Sequence, residues 1–192
     1  MSSIHSKRLL LFVLLPFLFS VICNTPSSAA TASPQAASKL IDEVCQGVKN
    51  GDYGFCVRTL ESDPRAAGAD LLGLAQISIE VSSRGVARNL VHTQNLLRLA
   101  KDPALKSSLR SCLDLYDTSF FWISEANNFL REKDYRNVIL RAKRVHGNAA
   151  RCEHGLKALR PPVPSPLTSQ NHAAEVLAQT LGSAAYLLRG QV

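Results

Sequence analysis

Small and apolar residues recur at alternating steps of three and four along much of the second half of the chain. This spacing keeps one side of a helix turned inward, because 3.6 residues complete a turn. One set of inward positions is Leu109, Cys112, Tyr116, Ser119, Ile123, Ala126 and Leu130. The next is Tyr135, Val138, Ala142, Val145, Ala149, Cys152, Leu156 and Leu159. The two patterns predict two long amphipathic helices.

Two further segments carry a similar pattern. The last contains Ala174, Leu177, Leu181, Ala184 and Leu188. An earlier and less regular one contains Leu74, Ile77 and Val81, then, after a shift near Gly85, Val86, Leu90, Thr93, Leu97 and Ala100. Together with the first two segments they predict an antiparallel four-helix bundle.

The signals that start and stop helices agree with this interpretation. Asp63-Pro64 and Asp102-Pro103 each combine an N-cap acid with a proline suited to the first helical turn. The proline-rich stretch 160–168 is unsuited to a helix and is predicted to be the last connection. Ahead of the bundle, residues 38–48 and 55–62 predict two short helices around a turn at 50–52. The predicted class is all-α, with a helical hairpin (36–62) before a four-helix bundle (64–190), together the domain 36–190.

The first 30 residues have the order of a secretory signal peptide. Lys7 and Arg8 precede an apolar run, and small residues follow it. The run is about 14 residues long, short of the roughly 20 that span a bilayer as a helix. Cleavage is predicted after Ala30, with Ala32 as a second option, and the alternative is an uncleaved anchor. The mature chain is expected to be secreted and free of the membrane.

The cysteines predict two disulfides. Of the five, Cys23 lies in the predicted leader, so Cys45, Cys56, Cys112 and Cys152 remain. An even number in an exported chain indicates disulfide bonding in an oxidising compartment. Spacing alone leaves three pairings open. The helical register favours Cys112 with Cys152, which both face inward on consecutive helices, and Cys45 with Cys56, which flank the turn of the hairpin.

The charge favours an acidic partner. Lys and Arg total 22 against 15 Asp and Glu, and loss of the two basic leader residues leaves an excess of five. Nine basic residues and three acids lie between Arg131 and Arg160. A basic surface of this kind suits an anionic polysaccharide such as pectin, bound weakly, or an acidic protein face. Nucleic acid is disfavoured because the chain is predicted to be exported.

The sequence shows no constellation typical of an enzyme. His92, His146, His154 and His172 are scattered and are expected to be exposed to solvent. The run Cys152-Glu153-His154 does not suit a metal, because Cys152 faces inward while His154 falls on the outer face. No nucleophile elbow, glycine-rich phosphate loop or convergent acid pair is present. We therefore expect a binding protein without catalytic residues, metal or cofactor.

Two surfaces are candidates for partner binding. In the first, Phe121 takes the outermost position of its helix and Trp122 lies at the boundary, next to Phe120. The alternative is that the hairpin or a neighbouring helix covers these rings. The second candidate is a basic outer face, for which the alternative is simple solvation. Its members are Arg136, Lys143, Arg144, Arg151 and Lys157.

From about Leu40 to Leu188 the chain resembles the plant invertase and pectin methylesterase inhibitors. The motifs that carry the resemblance are Leu60-Glu-Ser-Asp-Pro-Arg65, Asp70-Leu-Leu-Gly-Leu-Ala-Gln76, Asp102-Pro-Ala-Leu105, Cys112-x-x-x-Tyr116, Lys133-Asp-Tyr135 and Cys152-Glu153. The resemblance implies a four-helix bundle after a helical hairpin, with one disulfide in each part. It also implies a protein inhibitor of the apoplast or cell wall, or of the vacuole.

Within this resemblance, pectin methylesterase is the favoured target and acid invertase the alternative. One branch of invertase inhibitors carries Pro-Lys-Phe at the entrance to the third bundle helix, where this chain has Tyr135-Arg136-Asn137. Methylesterase inhibitors are implied to cover the pectin cleft of the enzyme in a one-to-one complex. This chain departs from them at Arg151, where threonine is usual, and in the bulk of Phe120-Phe121-Trp122. A pectin-binding wall protein is the further alternative.

Overall fold

A computed structural model describes residues 33–49, 52–162 and 164–191. The predicted signal peptide lies outside these residues. The six α-helices of the described part are α1 (Pro34–Gln46), α2 (Tyr53–Glu61), α3 (Leu71–Leu99), α4 (Pro103–Arg131), α5 (Tyr135–Lys157) and α6 (Thr168–Arg189). The described ranges contain no strand, so the prediction of an all-α chain is confirmed.

The four long helices form a closed bundle around one core. Each packs against the next in sequence, and α6 packs against α3 to complete the ring. The side formed by α4 and α5 is therefore opposite the side formed by α3 and α6. Short connections between consecutive helices favour this antiparallel order. None of the helices in the described part has both the length and the apolar character needed to cross a bilayer.

The predicted register of α4 and α5 matches the core. Every predicted inward position of α4 is buried, and so is every one of α5 except Leu159, which lies beyond its end and is partly exposed. Tyr116, Leu109 and Leu130 are among the largest fully buried side chains. The spacing of three and four residues predicts the buried positions of these two helices well, because small and apolar residues occupy nearly all of them.

The prediction for α3 is partly wrong. The positions predicted to face inward at Val81, Leu90, Leu97 and Ala100 are only half-buried, whereas Ser78, Ser82 and Asn89 are buried. Two of these polar side chains find partners inside: the Ser78 hydroxyl donates to the Leu74 carbonyl at 2.8 Å, and Asn89 Nδ2 donates to the Gln170 carbonyl at 3.2 Å. A polar side chain can be buried when it is hydrogen-bonded. Such positions cannot be found from the spacing of apolar residues, because the residues are polar.

Aspartates set the starts of three long helices. Asp70, Asp102 and Asp134 accept backbone N–H bonds from the third residue beyond them, at 2.7, 2.7 and 3.1 Å. Asp63 caps a short 3₁₀ helix, Pro64–Gly68, by accepting from the backbone N–H of Arg65 at 3.0 Å, so Asp63-Pro64 does not open the bundle itself. The last helix begins at Thr168, before the first predicted inward position, Ala174.

The hairpin of α1 and α2 is bonded within itself and rests on α6. Cys45 is disulfide-bonded to Cys56, and Cys112 to Cys152, the pairing expected from the register. A side chain at Gly47 would collide with Ser183 of α6, so the close approach requires glycine there. The hairpin is also joined to α6 by the backbone N–H of Lys49, which donates to Gln179 Oε1 at 2.9 Å.

Candidate partner-binding surface

The side formed by α4 and α5 carries a stack of aromatic rings and guanidinium groups. Trp122 of α4 is half-buried, and two arginines of α5 lie over its ring. The Arg141 and Arg144 guanidinium carbons are 4.9 and 5.2 Å from the ring centroid. Arg141 is also 5.1 Å from the centroid of Phe129. Cation–π contact of this kind fixes both partners and keeps positive charge beside the ring.

Phe121 extends the stack into solvent. Its side chain is 53% exposed, and its ring meets that of Trp122 edge to face, with centroids 4.9 Å apart. Holding the exposed ring against a half-buried neighbour reduces the entropy that a partner would have to remove on binding. The sequence left open whether these rings are exposed or covered by a neighbouring helix. Trp122 is partly covered by α5, and Phe121 is exposed.

Phe120 faces the other way along α4. It is 45% exposed and lines a groove between α3 and α4 together with Ile79 and Asn127. The amide oxygen of Asn127 is buried and has no hydrogen-bond partner in the described residues. Phe120 therefore does not belong to the aromatic stack formed by Phe121 and Trp122.

Arg141 was not among the predicted site residues. Its guanidinium lies 3.6 Å from Glu125 Oε2, and its side chain is largely buried between the aromatic rings. The only indication in the sequence that Arg141 is partly buried was its position next to Ala142, which was predicted to face inward. An arginine at the edge of a helical seam covers apolar surface with its stem while its charged end stays near water.

The members of the predicted basic face have different neighbours. Only Arg144 meets the aromatic stack, and Arg151 lies two turns further along α5, about 10 Å away, beside Ser107 and Ser111 at the Cys112–Cys152 bond. Lys143 lines a groove between α5 and α6 with Tyr186. Lys157 pairs with Glu153 at 3.1 Å. Arg136 is exposed in the first turn of α5.

The entrance to α5 is closed by local contacts. Tyr135 is buried, and Asn137 Nδ2 donates to Asp134 Oδ2 at 2.7 Å. These hydrogen bonds from Asn137 lower the pKa of Asp134. Among Tyr135, Arg136 and Asn137, only Arg136 is exposed.

A polar network centred on Glu153 joins α4, α5 and α6. Glu153 accepts from Thr168 at 2.7 Å, Ser165 at 2.8 Å and Asn171 Nδ2 at 2.9 Å. Asn171 in turn accepts from the Tyr116 hydroxyl at 2.5 Å. Burial opposes ionisation of Glu153, but these hydrogen bonds and Lys157 outweigh it and lower its pKa to about 2. Burial and the charge of Glu153 raise the pKa of Tyr116.

Two of the four histidines in the described ranges lie next to acids. His172 Nε2 of α6 lies 2.9 Å from Asp52 Oδ1 at the start of α2, and His146 Nε2 lies 4.0 Å from Glu175 Oε2. His92 and His146 are half-buried, so the expectation that all four are exposed was wrong for these two. Within the described ranges, no three His, Cys, Asp or Glu residues are grouped in a way that suits a metal ion.

Comparisons with known proteins point to one family. A model of the family described as plant invertase/pectin methylesterase inhibitor matches residues 39–183. A pectinesterase inhibitor from Actinidia deliciosa is 29% identical over 177 residues, which cover 92% of this chain and 89% of that protein. A putative invertase inhibitor from Platanus orientalis is 31% identical over 129 residues, 67% of this chain and 75% of that protein.

The fold has solved counterparts. The crystal structure of a mutant form of a pectin methylesterase inhibitor from Arabidopsis superposes with a TM-score of 0.68 at 21% identity, covering 77% of this chain and 95% of that one. At that identity the likeness bears on the fold. Since the family model spans most of the chain, the protein belongs to the plant invertase/pectin methylesterase inhibitor family.

Proposed function

We propose that the mature chain is a protein inhibitor of pectin methylesterase that covers the pectin cleft of the enzyme in a one-to-one complex. The observation that carries this proposal is the similarity to the Actinidia pectinesterase inhibitor, which extends over 92% of the chain. A family of inhibitors and a basic bundle without a catalytic constellation both suit a binding role.

The proposed contact surface is the aromatic stack and its arginines. Phe121 supplies an exposed ring, and Trp122 supports it from below. Arg144 adds a charge that is already held in place by the indole ring. Aromatic residues and arginine are the residue types that dominate binding energy at protein interfaces. Arg136 and Arg151, at either end of the outer face of α5, are proposed to lie at the rim.

The entrance to α5 supports methylesterase over invertase as the target. The Pro-Lys-Phe entrance of one branch of invertase inhibitors is implied to reach into the invertase active site. Here Tyr135 is buried and Asn137 is bonded to Asp134, so only Arg136 is presented. This end of the helix is therefore poorly suited to reach into an enzyme active site.

The test is a titration of the purified chain, starting at Thr31, against several pectin methylesterase isoforms at mildly acidic pH. Methanol release should fall to zero at a one-to-one ratio. Unchanged activity of every isoform at micromolar inhibitor would contradict the proposal.

A pair of variants locates the contact surface. Phe121→Ser should weaken inhibition at least ~10-fold, as loss of a central aromatic anchor does. Val91→Ser removes an equally exposed apolar side chain from α3 (59% exposed) and should leave inhibition as it was. If the wild type inhibits and the two variants inhibit equally strongly, the proposed function is retained but the proposed contact surface is wrong.

Acid invertase is the second candidate target, favoured by the 31% identity to the Platanus protein. The same titration with sucrose hydrolysis as the readout tests it. If the chain inhibits sucrose hydrolysis but not methylesterase activity, invertase is the target and the methylesterase proposal is wrong.

We also propose that the chain acts in the apoplast or cell wall, with the vacuole as the alternative. Two disulfides need an oxidising compartment to form and persist. Sequencing the amino terminus of the protein recovered from wall extract tests both export and the predicted cleavage after Ala30.

A further inference from the structure

A second groove lies on the opposite side of the bundle, where α2 rests against α3 and α6. Its volume is about 540 Å³, within the roughly 300–1,000 Å³ range of small-molecule sites. Three arginines line it: Arg58 from α2, and Arg84 and Arg88 from α3. Arg84 and Arg88 are one turn apart, so they lie on the same face of α3. None of these arginines belongs to the predicted basic face.

The groove has an excess of positive charge. No acidic residue is among those that line it. In the described part of the chain, no carboxylate lies within 4.0 Å of Arg58 or Arg88. Arg84 is 3.9 Å from Glu80 Oε2. That carboxylate is already engaged by Arg65, whose Nη2 lies 2.6 Å from Oε2 and whose Nη1 lies 3.3 Å from Oε1. Within the described residues Arg58 and Arg88 are therefore available to pair with an external anion, and Arg84 shares its carboxylate with Arg65.

The lining of the groove is apolar in part and carries hydroxyl groups. Phe55 and Leu177 supply apolar surface. Gly85 has no side chain to separate α3 from α6, and a Cβ there would come within 3.2 Å of Leu177 Cδ1. Thr59, Ser62 and Ser169 add hydroxyls that both donate and accept hydrogen bonds. A ligand that fits has an apolar ring face, several hydroxyls and carboxylates.

We propose that this groove binds a carboxylate-bearing oligosaccharide, namely a galacturonate oligomer from which the methyl esters have been removed. Arginine pairs with carboxylates through two parallel hydrogen bonds, and a phenyl ring suits the apolar face of a sugar. The choice of sugar rests on the proposed function, because a methylesterase converts esters into such carboxylates. The groove is opposite the α4/α5 side, so one molecule has room for the enzyme and the oligomer at once.

The experiment measures binding of a size-defined, de-esterified oligogalacturonate to the full mature chain by calorimetry, without enzyme and with a chelator to prevent calcium gels. The variant Arg58→Gln, Arg84→Gln, Arg88→Gln should bind at least ~10-fold more weakly, because it loses three charge-assisted contacts. The matched variant Arg136→Gln, Arg144→Gln, Arg151→Gln loses the same charge from the α5 face and should bind within ~3-fold of wild type.

A steric variant separates the groove from its charge. Ala173→Phe fills the groove and keeps all three arginines, and it should also weaken binding. Circular dichroism and thermal unfolding establish that each variant is folded. The methyl-esterified oligomer should not bind, because it lacks the carboxylates that the arginines recognise.

Several results would overturn the proposal. The first is that the wild type does not bind the de-esterified oligomer. The second is that the two triple variants lose affinity equally, or that only the α5 variant loses it. The third is that the esterified oligomer binds as tightly as the de-esterified one. Equal competition by inorganic phosphate or an acidic peptide would show a general anion surface and would also overturn it. Because no enzyme is present, failure here is distinct from failure to inhibit a methylesterase.

Discussion

Two carboxylates of this protein, Asp63 and Glu153, both have a pKa of about 2, but they reach it in different surroundings. The Asp63 side chain, between the hairpin and the bundle, is 11% exposed, and hydrogen bonds from Arg65 lower its pKa. Arg65 is itself 54% exposed. Glu153 is 12% exposed, and most of its partners are neutral hydroxyl and amide groups of the last connection and α6.

The difference shows why a pKa alone does not measure structural importance. An exposed ion pair competes with water and salt, so its net contribution to stability is small. Glu153 instead accepts from Asn171, which is buried, and removing the carboxylate leaves that donor without a partner. We therefore expect the Glu153 cluster to govern stability and the Asp63 cluster to govern local electrostatics.

The largest effect is expected from Glu153→Ala. It should lower the free energy of unfolding by about 2–4 kcal/mol, because the buried amide group of Asn171 loses its acceptor. Denaturant unfolding with the disulfides intact measures this. Glu132→Ala, at the exposed end of α4, is the matched control and should change little. Equal losses in the two variants would show that the network adds nothing.

The pH dependence of stability should reveal the contribution of Glu153. A carboxylate with a lowered pKa stabilises the fold fully above its unfolded pKa, about 4.3 for Glu, and loses that contribution as pH falls towards 2. The stability difference between wild type and Glu153→Gln should therefore be full above about pH 4.3 and vanish near pH 2. Salt should leave that difference nearly unchanged. A constant difference across this range would contradict the assignment.

Tyr116→Phe should have a smaller effect. It removes the hydroxyl that donates to Asn171 but keeps the packing of the ring. We expect a loss of about 1 kcal/mol, which is typical for one hydrogen bond. Tyr186→Phe is the control, since this tyrosine is 60% exposed. If the two variants are equally stable, Asn171 has found another donor and the network is more adaptable than its geometry indicates.

The smallest change in stability is expected from Arg65→Ala, no larger than that of the exposed control Arg98→Ala. Its electrostatic effect should be visible elsewhere. Glu80, released from Arg65, becomes free to pair with Arg84, so binding of de-esterified oligogalacturonate should weaken ~2–3-fold at low salt and recover towards wild type as salt rises. If Arg65→Ala loses as much stability as Glu153→Ala, the conclusion that the Glu153 cluster governs stability is wrong.

The helical class, the hairpin and the inward positions of α4 and α5 were accessible from the sequence. The candidate site was accessible only in part. Phe121 was expected at an outermost position and is exposed, but the arginines that cover Trp122 were not foreseen as a pair. Arg141 and Trp122 are nineteen residues apart and belong to different helices. Periodicity assigns each to a side of its own helix and does not state which neighbour it meets.

The sequence by itself determined the features that repeat or that depend on residues close together in the chain. These are the seams of α4 and α5, the cap at Asp102 and the even set of cysteines, each set by helical geometry or simple counting. Only the tertiary structure decided the features that join distant segments. The Glu153 network, the buried Ser78 and Asn89, and the groove of Arg58, Arg84 and Arg88 each depend on which helices become neighbours. That choice is set by packing of the whole chain, because a polar group is stable inside only where a partner from another segment arrives.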